Sequence, residues 1–189
     1  MQRRKKNSIS GLWDKNGNWC DTNESIASTT ISYFESLFTT SHPSRIAEVT
    51  DTIPTRVANE MNQRLISTFT RDEMEAVLKQ MHPTKALGLD SMSTIFFQKY
   101  WDVVRNDITC MVLNVLNSNM SIADINRTKI TLIPKISSPS KMSNFRPISL
   151  CNVVYKLVSK VIANRLKNIL PQIISENQCF SLEEAHYRQ

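Results

Sequence analysis

Nine basic side chains and no acidic one lie between Asp124 and Glu176, so this stretch is the part of the chain best suited to binding a polyanion. They are Arg127, Lys129, Lys135, Lys141, Arg146, Lys156, Lys160, Arg165 and Lys167. The 124 residues before it carry 13 basic and 14 acidic groups, so the net charge of +6 arises from this segment. Ammonium and guanidinium groups hold phosphates by charge and hydrogen bonds. The alternative interpretation is a set of solvated surface charges.

Two of these cations, Lys135 and Arg146, belong to a predicted β-hairpin. Residues 128–134 are rich in β-branched side chains, and residues 145–150 are a second extended run, with a serine-rich link between them. In an antiparallel hairpin of this kind, Lys135 and Arg146 could project from neighbouring strands toward one point.

A long amphipathic helix is predicted after Leu150, ending near Pro171. Its apolar positions are Val154, Leu157, Val158, Val161, Ile162, Leu166 and Ile169. Lys156, Lys160 and Lys167 can share a flank of this helix and contact a nucleic-acid backbone. Contacts of that kind give affinity without sequence specificity.

The elements that must position these groups begin with a small hairpin. Residues 8–22 combine a Lys-Asn-Gly turn with two flanking tryptophans. Apolar residues recur at helical spacing from Glu24, with Thr22 or Asn23 as the predicted cap. Residues 39–54 contain two prolines and predict a loop.

Two further helices are predicted before the basic stretch. Val57, Met61 and Leu65 mark the first, and Thr70 with Glu73 forms a capping box for the second. The apolar positions of the second are Met74, Val77, Leu78 and Met81. Both stripes are predicted to face the core.

An aromatic cluster follows, and helical spacing continues beyond it. The cluster is Phe96, Phe97, Tyr100 and Trp101, and the later positions are Ile108, Val112, Val115 and Leu116. Exposed aromatic rings can stack on bases, but the spacing within an amphipathic helix favours core packing.

The basic stretch resembles the finger region of reverse transcriptases encoded by plant non-LTR (LINE-type) retrotransposons. Three motifs carry the resemblance, and they occur in the family's order and at its spacing. They are Ile133-Pro134-Lys135, Phe145-Arg146-Pro147-Ile148-Ser149-Leu150, and Tyr155-Lys156…Ser159-Lys160…Ala163-Asn164-Arg165-Leu166. The resemblance implies a part of an RNA-directed DNA polymerase, with an RNA template or a DNA primer as its partner.

The resemblance also implies roles for individual residues. Arg146 matches the finger arginine that contacts the triphosphate, and Lys135 matches the lysine of the preceding strand, so both are predicted to bind the incoming nucleotide. The predicted nucleic-acid contacts are Lys129, Lys156, Lys160, Arg165 and Lys167.

A loop before the fingers resembles the family's Lys-x-x-Gly-Pro-Asp-Gly motif. Lys85, Gly88 and Asp90 match it, whereas Leu89 replaces its proline and Ser91 its second glycine. Because both turn-forming residues are missing, the loop is predicted to be looser or reshaped.

The expected fold class is α+β and mostly helical. It comprises a helical N-terminal region, a small antiparallel finger hairpin and a long helix, as an incomplete right-hand polymerase fold that lacks most of the palm. The expected division is a flexible basic N-terminus at 1–7, a connector at 8–70, a partial reverse transcriptase domain at 71–178 and a divergent tail at 179–189.

Catalysis by this family depends on palm aspartates that hold two Mg²⁺ ions, and no Asp-Asp pair occurs in this sequence. The chain is therefore predicted to have no catalytic residue, metal or cofactor of its own and to be inactive alone. The alternative is a non-catalytic RNA- or DNA-binding module that uses the basic 127–167 surface. An active polymerase would need carboxylates from another chain.

Other site chemistries receive little support from the sequence. The four cysteines are far apart and are expected to be free thiols in a reducing compartment. The three histidines are isolated, so they suggest no metal site or catalytic triad. No apolar run approaches the roughly 18–20 residues that span a bilayer. We therefore expect an intracellular protein, nuclear or cytoplasmic, without a membrane partner.

Overall fold

The computed structural model describes residues 8–118 and 120–174. The predictions of a flexible N-terminus at 1–7 and a divergent tail at 179–189 therefore concern residues outside the described ranges. About half of the described residues are helical, and their strands form two small antiparallel hairpins. The predicted α+β class is confirmed.

The chain divides into two compact units, and each is discontinuous in sequence. Unit 1 takes residues 1–52 and 128–150, and unit 2 takes residues 53–127 and 151–189. The predicted finger hairpin thus groups with the N-terminal region, whereas the long helix after it groups with the central segment. The sequence analysis divided the chain into consecutive segments and could not show this grouping, because local patterns do not reveal which distant segments share a core.

Unit 1 begins with a hairpin in which β1 (Leu12–Trp13) pairs with β2 (Trp19–Cys20), as predicted. Asp14 shapes the turn by accepting hydrogen bonds at 2.8 Å from the backbone N–H groups of Asn16 and Asn18. These bonds, above all those from Asn18, hold the pKa of the Asp14 carboxyl below its ordinary value.

Helix α1 (Asn23–Phe38) follows, and its predicted start is confirmed. Thr22 is the N-cap, and its hydroxyl oxygen accepts from the Ser25 backbone N–H at 3.2 Å while the Ser25 hydroxyl oxygen accepts from the Thr22 N–H. This reciprocal pair satisfies two of the donors that a helix start leaves open.

The prediction that residues 39–54 form only a loop is wrong. They contain a short helix, α2 (Ile46–Thr50), and an ion pair joins Arg45, just before this helix, to Glu48 within it. Five residues are too few to show a helical period in the sequence, which is why the helix was missed.

The second hairpin of unit 1 lies where the sequence predicts an antiparallel hairpin. β3 (Lys129–Pro134) pairs antiparallel with β4 (Phe145–Leu150), with a 3₁₀ turn at Met142–Asn144 before β4. The buried core of unit 1 consists of Leu12, Met142 and Phe145. It therefore joins the first hairpin to residues from the other end of the unit's sequence.

Unit 2 is a cluster of helices. They are α3 (Asn59–Ile66), α4 (Arg71–Gln80), α5 (Thr94–Lys99), α6 (Trp101–Asn117), α7 (Val153–Lys167) and α8 (Leu170–Ile173). Its main buried hydrophobic cluster consists of Met74, Val77, Leu78, Met81, Phe97, Val112, Val153, Val154, Leu157, Val158 and Val161. The apolar stripe predicted for α4 thus packs with the first part of the α7 stripe, whereas Ile162 and Leu166 of α7 are 41 % and 38 % exposed. None of the helices within 8–118 and 120–174 is long and apolar enough to cross a membrane.

Polar side chains form hydrogen bonds with backbone groups at both ends of α4. The predicted Thr70–Glu73 capping box is present at the start of α4. At the other end, the Gln98 side-chain amide donates to the carbonyl oxygens of Leu78 at 2.8 Å and Met81 at 2.9 Å. These bonds tie α5 to the end of α4.

Three details of the helix predictions need correction. Val57 lies before α3, because Ala58 is extended and acts as its N-cap. Tyr100 separates α5 from α6 and is 47 % exposed, so it does not pack in the core with Phe97. Helix α7 already ends at Lys167, and Pro171 fits into the first turn of α8, where its missing N–H leaves no bond unmade.

Candidate nucleic-acid interface

The pairing of β3 with β4 decides which side chains share a face. Successive side chains of a strand point to opposite faces. Leu132 packs against the core of unit 1, and Phe145 is part of that core. Ile133 and its partner Arg146 therefore lie on the opposite, outer face.

Lys129, Lys135 and Arg146 all belong to this outer face. The ladder continues to Lys135, whose backbone N–H donates to the carbonyl oxygen of Asn144 at 2.8 Å. Lys135 is thus a diagonal neighbour of Arg146, a relation that places Cβ atoms about 7–8 Å apart in a regular sheet. Its ammonium donates to the Ser143 carbonyl oxygen at 2.9 Å, whereas the Arg146 side chain is exposed.

Two isoleucines share the outer face with these cations. Ile133 is 41 % exposed and Ile148 is 40 % exposed. The face therefore combines positive charge with apolar surface, and both suit a nucleotide, whose phosphates are anionic and whose base has flat faces that pack on apolar groups. We call Lys129, Ile133, Lys135, Arg146 and Ile148 the outer hairpin face.

In unit 2, the loop that contains Lys85, Gly88 and Asp90 packs on the start of α7. The Lys156 ammonium donates to the Ala86 carbonyl oxygen at 2.6 Å. The Asp90 backbone N–H donates to Asn152 Oδ1 at 3.4 Å. A Cβ added at Gly88 would lie 2.6 Å from both the backbone N and the Cα of Asn152, so only glycine permits this approach.

Burial in this contact lowers the pKa of Lys156. The nearby charge of Lys85 lowers it further, while Cys151 and Asp90 act in the opposite direction. Ser91 has a φ of 56°, a left-handed conformation that glycine adopts easily. The loop thus keeps a glycine-like backbone at the position where the resemblance predicts glycine.

Arg165 is surrounded by protein acceptors. Its Nε and Nη2 donate to the two carboxylate oxygens of Glu73 at 2.8 Å each, and its guanidinium lies 3.6 Å from the centre of the Phe69 ring. Its other acceptors are the carbonyl oxygens of Arg64, Leu65, Ser67 and Thr68. Only 12 % of the side chain is exposed, and its donors are used within unit 2. The guanidinium of Arg165 therefore stabilises the fold of unit 2, and none of its N–H groups is available to a phosphate.

Two of the predicted backbone contacts on α7 remain open to a ligand. Lys160 is half-buried and Lys167 is exposed, and neither ammonium donates to any residue that the structure describes. Their role in nucleic-acid binding stays a prediction.

The Glu73–Arg165 pair predicts a pH dependence of stability. Hydrogen bonding from Arg165, assisted by Thr70, lowers the pKa of Glu73 from 4.5 to about 2. Because the folded-state pKa lies below the unfolded one, the contribution is complete above pH 4.5 and is lost as pH falls toward 2. We expect the urea midpoint of the native chain to fall over this window and that of Glu73→Gln to fall less. Parallel curves would contradict this assignment.

The metal chemistry that the resemblance implies does not fit this part of the chain. Among residues 8–118 and 120–174, no three His, Cys, Asp or Glu side chains cluster closely enough to hold a metal ion. We therefore assign no step to Mg²⁺.

The sequence analysis missed Asn152 and the structural role of Glu73. Asn152 directly precedes α7, a position where asparagine is a common cap, and that signal was available. Glu73 was recognised only as part of a capping box. Its partner Arg165 is distant in sequence, and no local pattern connects the two.

The class defined by these observations is an α+β protein with a cationic hairpin face. No known protein-family model matches the chain. Over 186 residues, which is 96 % of this chain, it is 28 % identical to the "Transposon TX1 uncharacterized 149 kDa protein" of Xenopus laevis. The matched region is 14 % of that protein's length. The chain is therefore similar, over almost its whole length, to a small part of a transposon protein.

Proposed function

We propose that this chain is the finger region of a non-LTR retrotransposon reverse transcriptase, and that it holds the incoming nucleotide and the nucleic acid. The observation that carries the proposal is the placement of Lys129, Lys135 and Arg146 on one face of the hairpin, opposite the core-facing Leu132 and Phe145. The similarity to a transposon protein supports the same reading.

The proposed role is binding rather than bond making. The triphosphate would lie along the outer hairpin face, where the guanidinium of Arg146 offers paired donors and the ammonium of Lys135 offers compact charge. Lys135 already donates one of its three N–H groups to Ser143, which orients the ammonium and leaves two donors. The carboxylates for nucleotidyl transfer would come from outside the described residues.

The test is to replace the three outer-face cations together. For binding of single-stranded RNA, a plot of log affinity against log salt concentration has a negative slope. In Lys129→Gln/Lys135→Gln/Arg146→Gln this slope should become less steep by about 2, since each phosphate contact on a single strand contributes roughly 0.7. Fluorescence anisotropy of a labelled RNA at several salt concentrations measures this slope.

The matched control is Lys79→Gln/Lys99→Gln/Arg105→Gln. These three side chains are also exposed, lie in unit 2 outside the proposed interface and remove the same charge. If both triple variants lose equal affinity, binding follows net charge and the proposal fails.

A second candidate function is a non-catalytic RNA- or DNA-binding module that uses the basic 127–167 surface. The observation that favours it is the absence of protein acceptors for Lys160 and Lys167 among the described residues. Titration with a deoxynucleoside triphosphate separates the two functions. Finger function requires triphosphate binding that Arg146→Gln weakens, whereas the module requires RNA binding that Lys160→Gln/Lys167→Gln weakens, with no triphosphate binding.

A further inference from the structure

A concave surface lies within unit 1, and none of its lining residues belongs to the outer hairpin face. It is a cleft of about 580 Å³ that the β1–β2 turn, helix α1 and the 3₁₀ turn before β4 enclose. This volume falls within the roughly 300–1,000 Å³ typical of ligand sites. We call it the α1 cleft. The aromatic, basic and hydroxyl side chains that line it include Trp13, Lys15, Ser28, Ser32, Tyr33 and Lys141.

Two aromatic rings in the α1 cleft are both exposed and held in place. Trp13 is 44 % exposed and Tyr33 is 37 % exposed. The Trp13 ring meets the Trp19 ring edge-on at 5.1 Å, and the Trp13 backbone N–H donates to the Ser140 carbonyl oxygen at 2.8 Å. Tyr33 meets Phe34 edge-on at 5.4 Å. Rings that their neighbours fix in this way can accept a stacked base with little loss of side-chain entropy.

The charge balance of the cleft favours an anion. Lys15 and Lys141 bring exposed ammonium groups into the lining. Asp14 is the acidic residue beside them, but Asn16 and Asn18 already donate three hydrogen bonds to its carboxylate. The carboxylate is therefore satisfied by the turn and does not need the two lysines.

Helix α1 adds a row of hydroxyl groups to the same cleft. Ser28, Ser32 and Ser36 are spaced by four residues, so they lie on one face of the helix. All three are exposed, and none of their hydroxyl groups forms a hydrogen bond to a residue that the structure describes. Such hydroxyls can donate to phosphate oxygens or to sugar oxygens.

We propose that the α1 cleft binds a segment of single-stranded nucleic acid. A base would stack on Trp13 or Tyr33, the flanking phosphates would contact Lys15 and Lys141, and the serine hydroxyls would hold the sugar–phosphate backbone. A single strand is the fitting occupant, because the bases of a duplex are already stacked on each other and cannot offer a face to the rings. The cleft shares no residue with the outer hairpin face and is thus a second site beyond the proposed function.

The test combines a crosslink with two variants of the full chain. A 5-iodouridine-containing RNA, irradiated with the protein, should crosslink to the peptide that contains Trp13 or Tyr33. Lys15→Gln/Lys141→Gln should weaken binding of the same RNA about tenfold and lower the salt slope by about 1.4, at roughly 0.7 per phosphate. Trp13→Ala should weaken it about tenfold with little change in slope, since a stacking contact carries no charge.

The control Lys79→Gln/Lys99→Gln removes two exposed lysines elsewhere and should change affinity less than twofold. If crosslinks map only to β3 and β4, and Lys15→Gln/Lys141→Gln binds like the control, the cleft proposal is overturned while the finger proposal stands. If crosslinks map to the cleft but Arg146→Gln leaves triphosphate binding unchanged, the finger proposal is overturned while the cleft proposal stands. Competition by free uridine monophosphate as strong as by the oligonucleotide, at equal nucleotide concentration, would identify a mononucleotide pocket and overturn the single-strand assignment.

Discussion

Replacing Arg165 by alanine is expected to lower the free energy of unfolding of unit 2 by about 3 kcal/mol. The side chain joins α7 to Glu73 of α4 and to four carbonyl oxygens of residues 64–68, which precede α4. Its loss leaves those oxygens without their donor and removes the cation from the Phe69 ring. The estimate lies at the lower end for a buried pair, because 36 % of the Glu73 side chain is exposed and water can partly replace the lost bonds.

The comparison for this variant is Arg71→Ala. Arg71 also forms an ion pair on α4, with Glu75 at 2.8 Å, but its side chain is 42 % exposed. An exposed helical pair of this kind contributes about 0.5 kcal/mol. Chemical denaturation followed by circular dichroism measures both variants. If they lose the same stability, the buried network around Arg165 is not the anchor of α7.

Arg165→Lys refines the same experiment. Lysine keeps the positive charge but has three donors on one atom, so it cannot serve both carboxylate oxygens and the carbonyls together. We expect it to recover less than half of the loss. Full recovery would show that charge alone, and not the geometry of the guanidinium, holds α7 in place.

The second large effect is expected from Gly88→Ala, which should cost about 2 kcal/mol. The new Cβ would lie 2.2 Å from the Asn152 side-chain oxygen and 2.6 Å from its backbone N and Cα. Because two of these atoms are backbone, the loop must move away from α7, and that breaks the contacts from Asp90 to Asn152 and from Lys156 to Ala86.

Hydrogen exchange locates the effect of this substitution. Amides of residues 85–91 and of the first turn of α7 should exchange faster in Gly88→Ala. Adding Asn152→Ala should not rescue stability, since it removes only the side-chain contact. Gly17→Ala serves as the control: it places alanine at a φ of +82° in open space, and should cost about 1 kcal/mol without changing exchange in the loop. A rescued double variant would show that the clash involves the side chain alone.

Local sequence signals predicted the parts of this fold that are local in origin. Thr22 and Thr70 could be identified as helix caps because their partners lie three residues away. The β3–β4 hairpin could be predicted for the same reason, since its strands are neighbours in sequence. The alternation of side chains along those strands then places Lys135 and Arg146 on one face.

The remaining features depend on contacts between distant segments. Arg165 has the same appearance in sequence as Lys160 or Lys167, a cation on the polar flank of a helix. Only the folded chain shows that the Arg165 guanidinium bonds to Glu73 and lies over the ring of Phe69. The α1 cleft was missed for a related reason: Trp13, Tyr33 and Lys141 come from three separate segments, and each on its own is an ordinary surface residue.

The interleaving of the two units limits how the molecule can be dissected and how it can be made. A gene cut after residue 127 takes β3 and β4 from unit 1 and α7 from unit 2 at once, so no single truncation releases either unit whole. Isolating unit 1 requires a designed linker that replaces residues 53–127. On the ribosome, Leu12 must likewise wait for Met142 and Phe145 to be synthesised before its core can close, and the first hairpin remains without that core until then.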